Sequence, residues 1–147
     1  MGRYEEAEPL YRQAIDIGKA TIGEGHPAYA LRLNNLAGLL RDMGKLEEAE
    51  PLFRQAIEIT KATIGEGHPA YAVHLNNLAG LLWEMGRPVE ARPLWIQMHA
   101  IHLDKLGLDH PQTKGCGENY AGLLREHFPD DPALAELEAD FGPEVGR

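Results

Sequence analysis

The sequence of 147 residues is poor in several features that would define a function. Its only cysteine is Cys116, so no intrachain disulfide can form. The chain has 14 lysines and arginines against 23 aspartates and glutamates, which gives a formal net charge of -9. This charge disfavours nucleic-acid binding, because phosphate binding requires a basic surface. No run approaches the roughly 18 apolar residues of a membrane span, and no signal-peptide pattern is present. We therefore expect a cytoplasmic protein with no nucleic-acid or membrane partner.

The chain contains cysteine and histidine, which can take part in catalysis or bind metals, but their spacing matches no known pattern of an active or metal site. No glycine-rich phosphate loop is present, and Cys116 has no evident base to activate it. His99 and His102 have the i, i+3 spacing of a metal-binding pair on a helix, without an evident third or fourth ligand. We expect no enzyme, no catalytic residue, no metal and no cofactor.

The dominant feature is an internal repeat of 42 residues. Residues 3–44 and 45–86 are identical at 33 of 42 positions, and residues 87–128 keep the same frame with more substitutions. A period of this length is typical of a solenoid, in which each unit buries its apolar face against its neighbours. We predict a single domain over residues 1–147, built from these three units and a capping helix at about 132–141.

Each unit contains two helical patterns. Pro27 follows His26 at the start of the first pattern, apolar residues then recur at spacings of three and four, and Gly44 ends it. His26, His68 and His110 each precede a proline in this way, so we predict a structural role for them at helix starts. Seven helices and no strands are predicted, at residues 3–22, 27–43, 46–64, 69–85, 88–106, 111–127 and 132–141.

The stretch "LNNLAGLLRDMGKLEEAEPLFRQAI" resembles the tetratricopeptide repeat family. It carries the small residues of the helix crossing, their large partners and the turn glycine, namely Ala37, Ala49, Ala56, Leu36, Leu40, Phe53 and Gly44. The longer period, the "GEGHP" linker and "LNNLA" are similar to the variety found in kinesin light chains. The resemblance implies an all-α, right-handed superhelix of about seven antiparallel helices that binds proteins or peptides without catalysis.

The third unit departs from this family pattern. Met98 replaces the small alanine of the helix crossing, and Phe128 replaces the turn glycine. Asp131 and Pro132 then provide a capping residue and a proline at the start of a short final helix. These changes favour a terminal cap over a further stackable unit.

The repeated "LNNLAGLL" places asparagines and a glycine on the helix face opposite the leucines. In the tetratricopeptide repeat proteins that this sequence resembles, this face lines the concave groove of the superhelix. An asparagine amide complements a peptide backbone, and glycine permits close approach of a ligand. The predicted peptide-binding residues are Asn34, Asn35, Gly38, Arg41, Asn76, Asn77, Gly80, Trp83, Asn119 and Arg125.

Two interpretations of these residues remain open. The asparagines either hold a ligand or bond across neighbouring helices and serve only the stacking of repeats. Arg41 and Arg125 share one row of the groove face with the aromatic Trp83. The two arginines either bind carboxylates of a ligand, which predicts an acidic peptide, or pair with the adjacent row of acidic residues, Asp42, Glu84 and Glu126.

The main alternative to peptide binding is self-assembly, or a role as part of a longer signalling protein. We call the helices that follow a His-Pro pair, such as 27–43, first-type helices, and the helices that pair with them, such as 46–64, second-type helices. Helix 3–22 is of the second type and lacks its own first helix in this sequence. Tyr4, Leu10, Tyr11 and Ile17 are therefore expected to be poorly covered, and exposed apolar area favours association into a homo-oligomer. Pro9, Pro51 and Pro93 recur inside second-type helices, and the sequence gives no functional account of them.

Overall fold

A computed structural model describes residues 2–141 as a row of helices, with no strand in that range. All seven predicted helices are confirmed, and each predicted boundary lies within one residue of the observed one. The helices are α1 (Gly2–Thr21), α2 (Pro27–Asp42), α3 (Leu46–Thr63), α4 (Pro69–Glu84), α5 (Pro88–Leu106), α6 (Pro111–His127) and α7 (Pro132–Phe141).

Each helix packs against the helices before and after it in the chain, and α2 also touches α4 directly. This order of contacts is that of a solenoid, and it confirms the predicted all-α fold. Phe53 of α3 and its equivalent Trp95 of α5 are each only 2% exposed and lie beneath the first-type helices α2, α4 and α6. None of the helices in residues 2–141 is long and apolar enough to cross a membrane.

The three repeated histidines cap the first-type helices, which confirms their predicted structural role. The His68 Nδ1 accepts a hydrogen bond from the Ala70 backbone N–H at 3.0 Å, and His26 caps α2 in the same way. His110 accepts from the Gln112 N–H at 3.2 Å. Each imidazole satisfies one of the N–H groups that a helix start leaves unpaired, and the following proline lacks an N–H altogether.

Replacing His68 with alanine should therefore lower the free energy of unfolding by about 1 kcal/mol, the usual cost of losing an N-cap. Urea denaturation of the purified protein measures this change. His68→Asn is the matched control, because its amide oxygen can take over the cap. An asparagine variant as unstable as the alanine variant would contradict the capping role.

The prolines inside second-type helices do not interrupt them. Pro9, Pro51 and Pro93 all lie within continuous helices on exposed positions. A proline leaves the carbonyl four residues earlier without its helical partner. Those earlier residues, Glu5, Glu47 and Val89, are exposed as well, so water can satisfy the carbonyls.

Helix α1 carries the apolar exposure expected from the sequence. Tyr4, Leu10, Tyr11 and Ile17 are 40%, 65%, 38% and 50% exposed. The equivalent of Tyr11 one unit later is Phe53, which the packing of α2 on α3 buries. Within residues 2–141 no helix occupies the corresponding place beside α1.

Side chains that the other units lack form contacts at the start of α7. Asp131 Oδ1 accepts from the Ala133 N–H at 2.9 Å, which confirms the predicted cap of α7. Arg92 pairs with Asp131, and its guanidinium carbon lies 4.9 Å from the centre of the Phe128 ring. Met98, which replaces the small alanine, is fully buried.

Neighbouring helices also match each other in side-chain size. Arg32 of α2 reaches over Gly18 of α1 and donates from Nη1 to the Ala14 carbonyl at 2.6 Å. A Cβ at position 18 would lie 2.8 Å from that nitrogen, so only glycine leaves room for the arginine without a shift. Two units later the same positions are His102 and Cys116, which line one cavity. The large and the small side chain have exchanged places.

Candidate functional site

The predicted groove residues surround a series of adjoining cavities. A first cavity of about 320 Å³ is lined by Asn34, Asn35, Gly38, Arg41 and Asn77 of α2 and α4, and also by Tyr11 of α1 and Phe53 of α3. Arg41 also lines a second, larger cavity of about 560 Å³, with Asn76, Gly80, Trp83 and Asn119. A third cavity of about 210 Å³ shares Asn76 and Asn119 with the second. Of the ten predicted residues, Arg125 alone lines none of these three cavities.

Three of the asparagines already have partners within the chain. The Asn77 side chain donates from Nδ2 to Asn34 Oδ1 at 3.0 Å, across neighbouring units. Trp95 donates from Nε1 to Asn76 Oδ1 at 3.4 Å. Asn35 and Asn119 are exposed, and their side chains make no hydrogen bond within residues 2–141. The asparagine row therefore divides into a bonded part that joins units and an open part.

The helix glycines make room for a side chain of the preceding unit. A Cβ at Gly80 would lie 3.1 Å from a guanidinium nitrogen of Arg41, and a Cβ at Gly122 would lie 3.4 Å from the Trp83 ring. At Gly38 an added Cβ would meet open space. Only at Gly80 would an added Cβ be crowded, because 3.4 Å at Gly122 is an ordinary van der Waals contact. Packing thus favours glycine at position 80, beside the Arg41 guanidinium.

Both groove arginines are paired with carboxylates of the same chain. Arg41 Nε lies 3.0 Å from each carboxylate oxygen of Glu84, one unit further along. Arg125 donates to Glu138 of α7 from Nε at 3.2 Å and from Nη2 at 2.9 Å. These contacts match the interpretation in which arginine and acid neutralise each other, although surface pairs of this kind contribute little to stability.

Trp83 stands at the centre of an aromatic cluster beside the second cavity. Its ring packs edge-on against Trp95, with centroids 5.3 Å apart, and against His127 at 6.3 Å. Trp83 is partly exposed, whereas Trp95 is buried. The sequence did not predict Trp95 or His127 as groove residues, because their equivalents Phe53 and Met43 indicate core and turn positions.

The model of the family described as "Tetratricopeptide repeat" matches residues 1–62 and again residues 31–95, which together make up more than half of the chain. The chain belongs to the tetratricopeptide repeat family. Such repeats (TPRs) generally act as protein-interaction scaffolds, and the family is generally non-catalytic.

Solved structures agree with this assignment. A crystal structure from Podosopora anserina, described as a kinesin light chain with nearly identical TPR-like repeats, superposes with a TM-score of 0.86 at 25% identity. That similarity covers 95% of this chain and 66% of the other. BtubC (BKLC) from P. vanneervenii superposes with a TM-score of 0.81 at 23% identity, covering 95% of this chain and 54% of the other. The chain thus spans about half to two thirds of these proteins and is of the kinesin-light-chain-like variety. No curated protein sequence gives a significant match.

The third cavity of the TPR groove contains a histidine that the sequence analysis assigned no binding role. His102 is 5% exposed, and neither ring nitrogen has a hydrogen-bond partner within the described residues. Burial, and to a smaller extent the nearby His110, lowers the pKa of His102. The imidazole is therefore neutral at pH 7, and both of its nitrogens are closed to solvent. Its equivalents Gly18 and Thr60 gave no signal for a buried histidine.

The other reactive residue types do not assemble into a chemical site. Within residues 2–141 no group of three or more histidine, cysteine, aspartate or glutamate side chains is placed to hold a metal ion. The His99 ring packs against Phe141 with centroids 5.4 Å apart. Burial raises the pKa of the Cys116 thiol to about 12, so the reactive thiolate is scarce at neutral pH.

The two kinds of asparagine allow a direct test of stacking against binding. Asn77→Ala removes the bond to Asn34 and should cost about 1 kcal/mol of unfolding free energy. Asn35→Ala, at the equivalent position one unit earlier, removes no such bond and should change stability little while weakening peptide binding. Urea denaturation and peptide titration of both variants, with an Asn34–Asn77 double-mutant cycle, separate the effects. Equal loss of stability in both variants would contradict this division.

Proposed function

We propose that this TPR chain is a non-catalytic scaffold that binds an extended peptide along its concave groove. The series of three adjoining cavities carries this proposal. Because Arg41 lines the first and second cavities, and Asn76 and Asn119 line the second and third, one continuous ligand could occupy all three. The proposed organisation is a single solenoid domain of units 3–44, 45–86 and 87–128, working in the cytoplasm.

The open asparagines supply hydrogen bonds for a ligand backbone. Asn35 lines the first cavity and Asn119 the second and third, so free amides lie towards both ends of the groove. Each amide offers a donor and an acceptor, as a peptide unit does. Asn34 and Asn77 support the groove wall through their mutual bond.

The charge of the groove favours a neutral or basic ligand. The prediction of an acidic peptide depended on Arg41 and Arg125. It stays a prediction, and both arginines already have carboxylate partners in the chain. An acidic ligand would have to displace Glu84 or Glu138 from these arginines. Among the described residues, Glu126 in the second cavity forms an ion-pair contact with His127 alone, at 3.5 Å, and it lies in the same cavity as the Trp83 ring. A carboxylate and an aromatic ring together attract a cationic side chain.

A displayed peptide library, followed by NMR titration of the selected peptide, tests the proposal. Binding should shift the indole N–H resonance of Trp83 and the side-chain amides of Asn35 and Asn119. Shifts confined to exposed residues of α1 other than Tyr11, or to the outer faces of α3 and α5, would show that the ligand lies elsewhere. A basic preference is checked by adding salt, which should weaken it through screening.

Self-assembly through α1 is the second candidate function, supported by the exposed apolar side chains of that helix. Tyr4, Leu10 and Ile17 are each at least 40% exposed. Apolar exposure of this kind on one helix favours burial against a second copy.

Sedimentation of the protein over a wide concentration range measures this association. We expect a monomer–dimer equilibrium, and the Leu10→Glu variant should shift it towards monomer by placing a charge in the contact. Val89→Glu is the control, since Val89 is 72% exposed on α5 and lies outside α1. A single monomeric species at all concentrations would refute assembly.

A further inference from the structure

Groove residues of neighbouring units meet at an offset of 43 positions along the chain. Asn77 donates to Asn34 at 3.0 Å across this offset. Arg41 and Glu84 are separated by the same 43 positions, and the guanidinium Nε lies 3.0 Å from each carboxylate oxygen. Both contacts join α2 to α4. The offset therefore identifies which residue of the next unit lies beside a given groove residue.

The same offset from α4 to α6 leads from Trp83 to Glu126, and both residues line the second cavity. Trp83 stands at the position that Arg41 has in the first unit. Glu126 therefore lacks the arginine that Glu84 has, and its one ion-pair contact among the described residues is with His127, the next residue in the chain. The Glu126 side chain is 58% exposed, so a ligand can reach its oxygens.

The charges around the second cavity favour a cation. Arg41 and Glu84 neutralise each other, which leaves the Glu126 carboxylate as the excess charge of the lining while His127 is neutral. The last turns of α4 and α6 both border the cavity, through Glu84 and through Glu126. A helix C-terminus carries partial negative charge, so both turns add to the attraction for a positive group.

We propose that the second cavity is the subsite for an arginine side chain of the bound peptide. The ligand guanidinium lies against the Trp83 ring and donates to the Glu126 carboxylate, as Arg41 donates to Glu84 within the chain. A guanidinium suits this pair better than an ammonium group, because it is planar and less strongly hydrated. It can stack on an aromatic ring and also make two parallel hydrogen bonds to a carboxylate.

The volume of the cavity, about 560 Å³, lies in the usual range of ligand sites and has room for a whole arginine side chain. The inference rests on the proposed groove function, because a peptide is taken to supply the arginine. The chemistry of the cavity can nevertheless be measured without a peptide.

The direct test is an NMR titration of the intact protein with N-acetyl-arginine amide, followed at the Trp83 indole and the His127 ring. The citrulline analogue is a matched probe of nearly the same shape without the charge, and the lysine analogue keeps the charge without the planar group. We expect saturable shifts with the arginine probe and at least about 5-fold weaker binding of the citrulline probe. The lysine probe should also bind less tightly. No shift with the arginine probe, or equal binding of either matched probe, would overturn the proposal.

The variant Glu126→Gln tests the carboxylate. It removes the charge of an exposed side chain, so the fold should persist while binding of the arginine probe falls to that of the citrulline probe. Glu118→Gln is the control, because Glu118 is exposed on the same helix and lines none of the three cavities. Unchanged binding in Glu126→Gln, or equal loss in both variants, would place the probe elsewhere and refute the subsite.

The variant Trp83→Arg is taken from the repeat itself, since it restores the residue found at position 41. The introduced guanidinium should pair with Glu126 as Arg41 pairs with Glu84, and it should therefore exclude the arginine probe. The His127 ring reports the loss of binding in this variant. Probe binding that persists in the folded variant would contradict the proposed geometry.

A peptide library screened with wild-type and Glu126→Gln protein separates this inference from the proposed function. Arginine should be enriched at one fixed position with the wild type, and the enrichment should be lost with the variant. Binding of the arginine probe by a protein that selects no peptide would support the subsite and refute the peptide groove. Selected peptides without arginine enrichment would overturn the subsite and leave the groove proposal standing.

Discussion

Replacing Trp83 with alanine is expected to weaken the binding of a selected peptide by at least about 30-fold, equivalent to about 2 kcal/mol. Trp83 is partly exposed at the largest of the three groove cavities, and its ring packs against Trp95 and His127. A fixed, partly covered aromatic side chain at the middle of a groove has the properties of a binding hot spot. Isothermal titration with the same peptide measures the loss.

Two further variants control for indirect effects of this change. Trp83→Phe keeps an aromatic surface and should retain much of the affinity. Ile96→Ala removes apolar surface of α5 at a position 48% exposed that lines none of the three groove cavities, so it should leave binding unchanged. A folded Trp83→Ala protein that binds as tightly as the wild type would refute the role of Trp83 as an anchor.

Replacing Trp95 with alanine should have the largest effect on stability, lowering the free energy of unfolding by about 3–5 kcal/mol. Trp95 is 2% exposed, belongs to the main buried cluster and packs edge-on against Trp83. Truncating it leaves a cavity that the surrounding side chains only partly fill. Urea denaturation at constant pH gives the change.

Trp95→Phe is the matched variant, because Phe53 occupies the equivalent buried position one unit earlier. It keeps most of the apolar volume and loses the indole donor to Asn76, so its cost should be much smaller. If the phenylalanine variant were as unstable as the alanine variant, burial of apolar surface would not be the main contribution of Trp95 to the free energy of unfolding.

The helices could be predicted closely because their signals are local and repeated. His26 and Pro27 mark a helix start that recurs in every unit, and Gly44 and Gly86 have φ angles of 79° and 73°, which favour glycine after a helix. The helical period placed the asparagines on one face, and the family resemblance assigned that face to the groove. Nine of the ten predicted groove residues therefore line a cavity in the structure.

The pairing of side chains between units could not be predicted in the same way. Asn34 bonds Asn77, one residue beyond its exact equivalent Asn76, and the repeat pattern gives no signal for that offset. Arg41 likewise reaches Glu84, 43 residues further along, where the repeat period is 42. His102 has no hydrogen-bond partner among the described residues, and its equivalents Gly18 and Thr60 give no signal for that.

The matched sizes of Arg32 with Gly18, and of Cys116 with His102, have a consequence for folding. Helices α2 and α4 differ at only four of sixteen positions, and α6 keeps the same frame, so one first-type helix could dock on the wrong second-type helix. Arg32 docked against His102 would crowd two large side chains, and Cys116 docked against Gly18 would leave a gap, either of which typically costs about 1 kcal/mol or more. We expect these differing positions to favour the docking of each helix on its own neighbour.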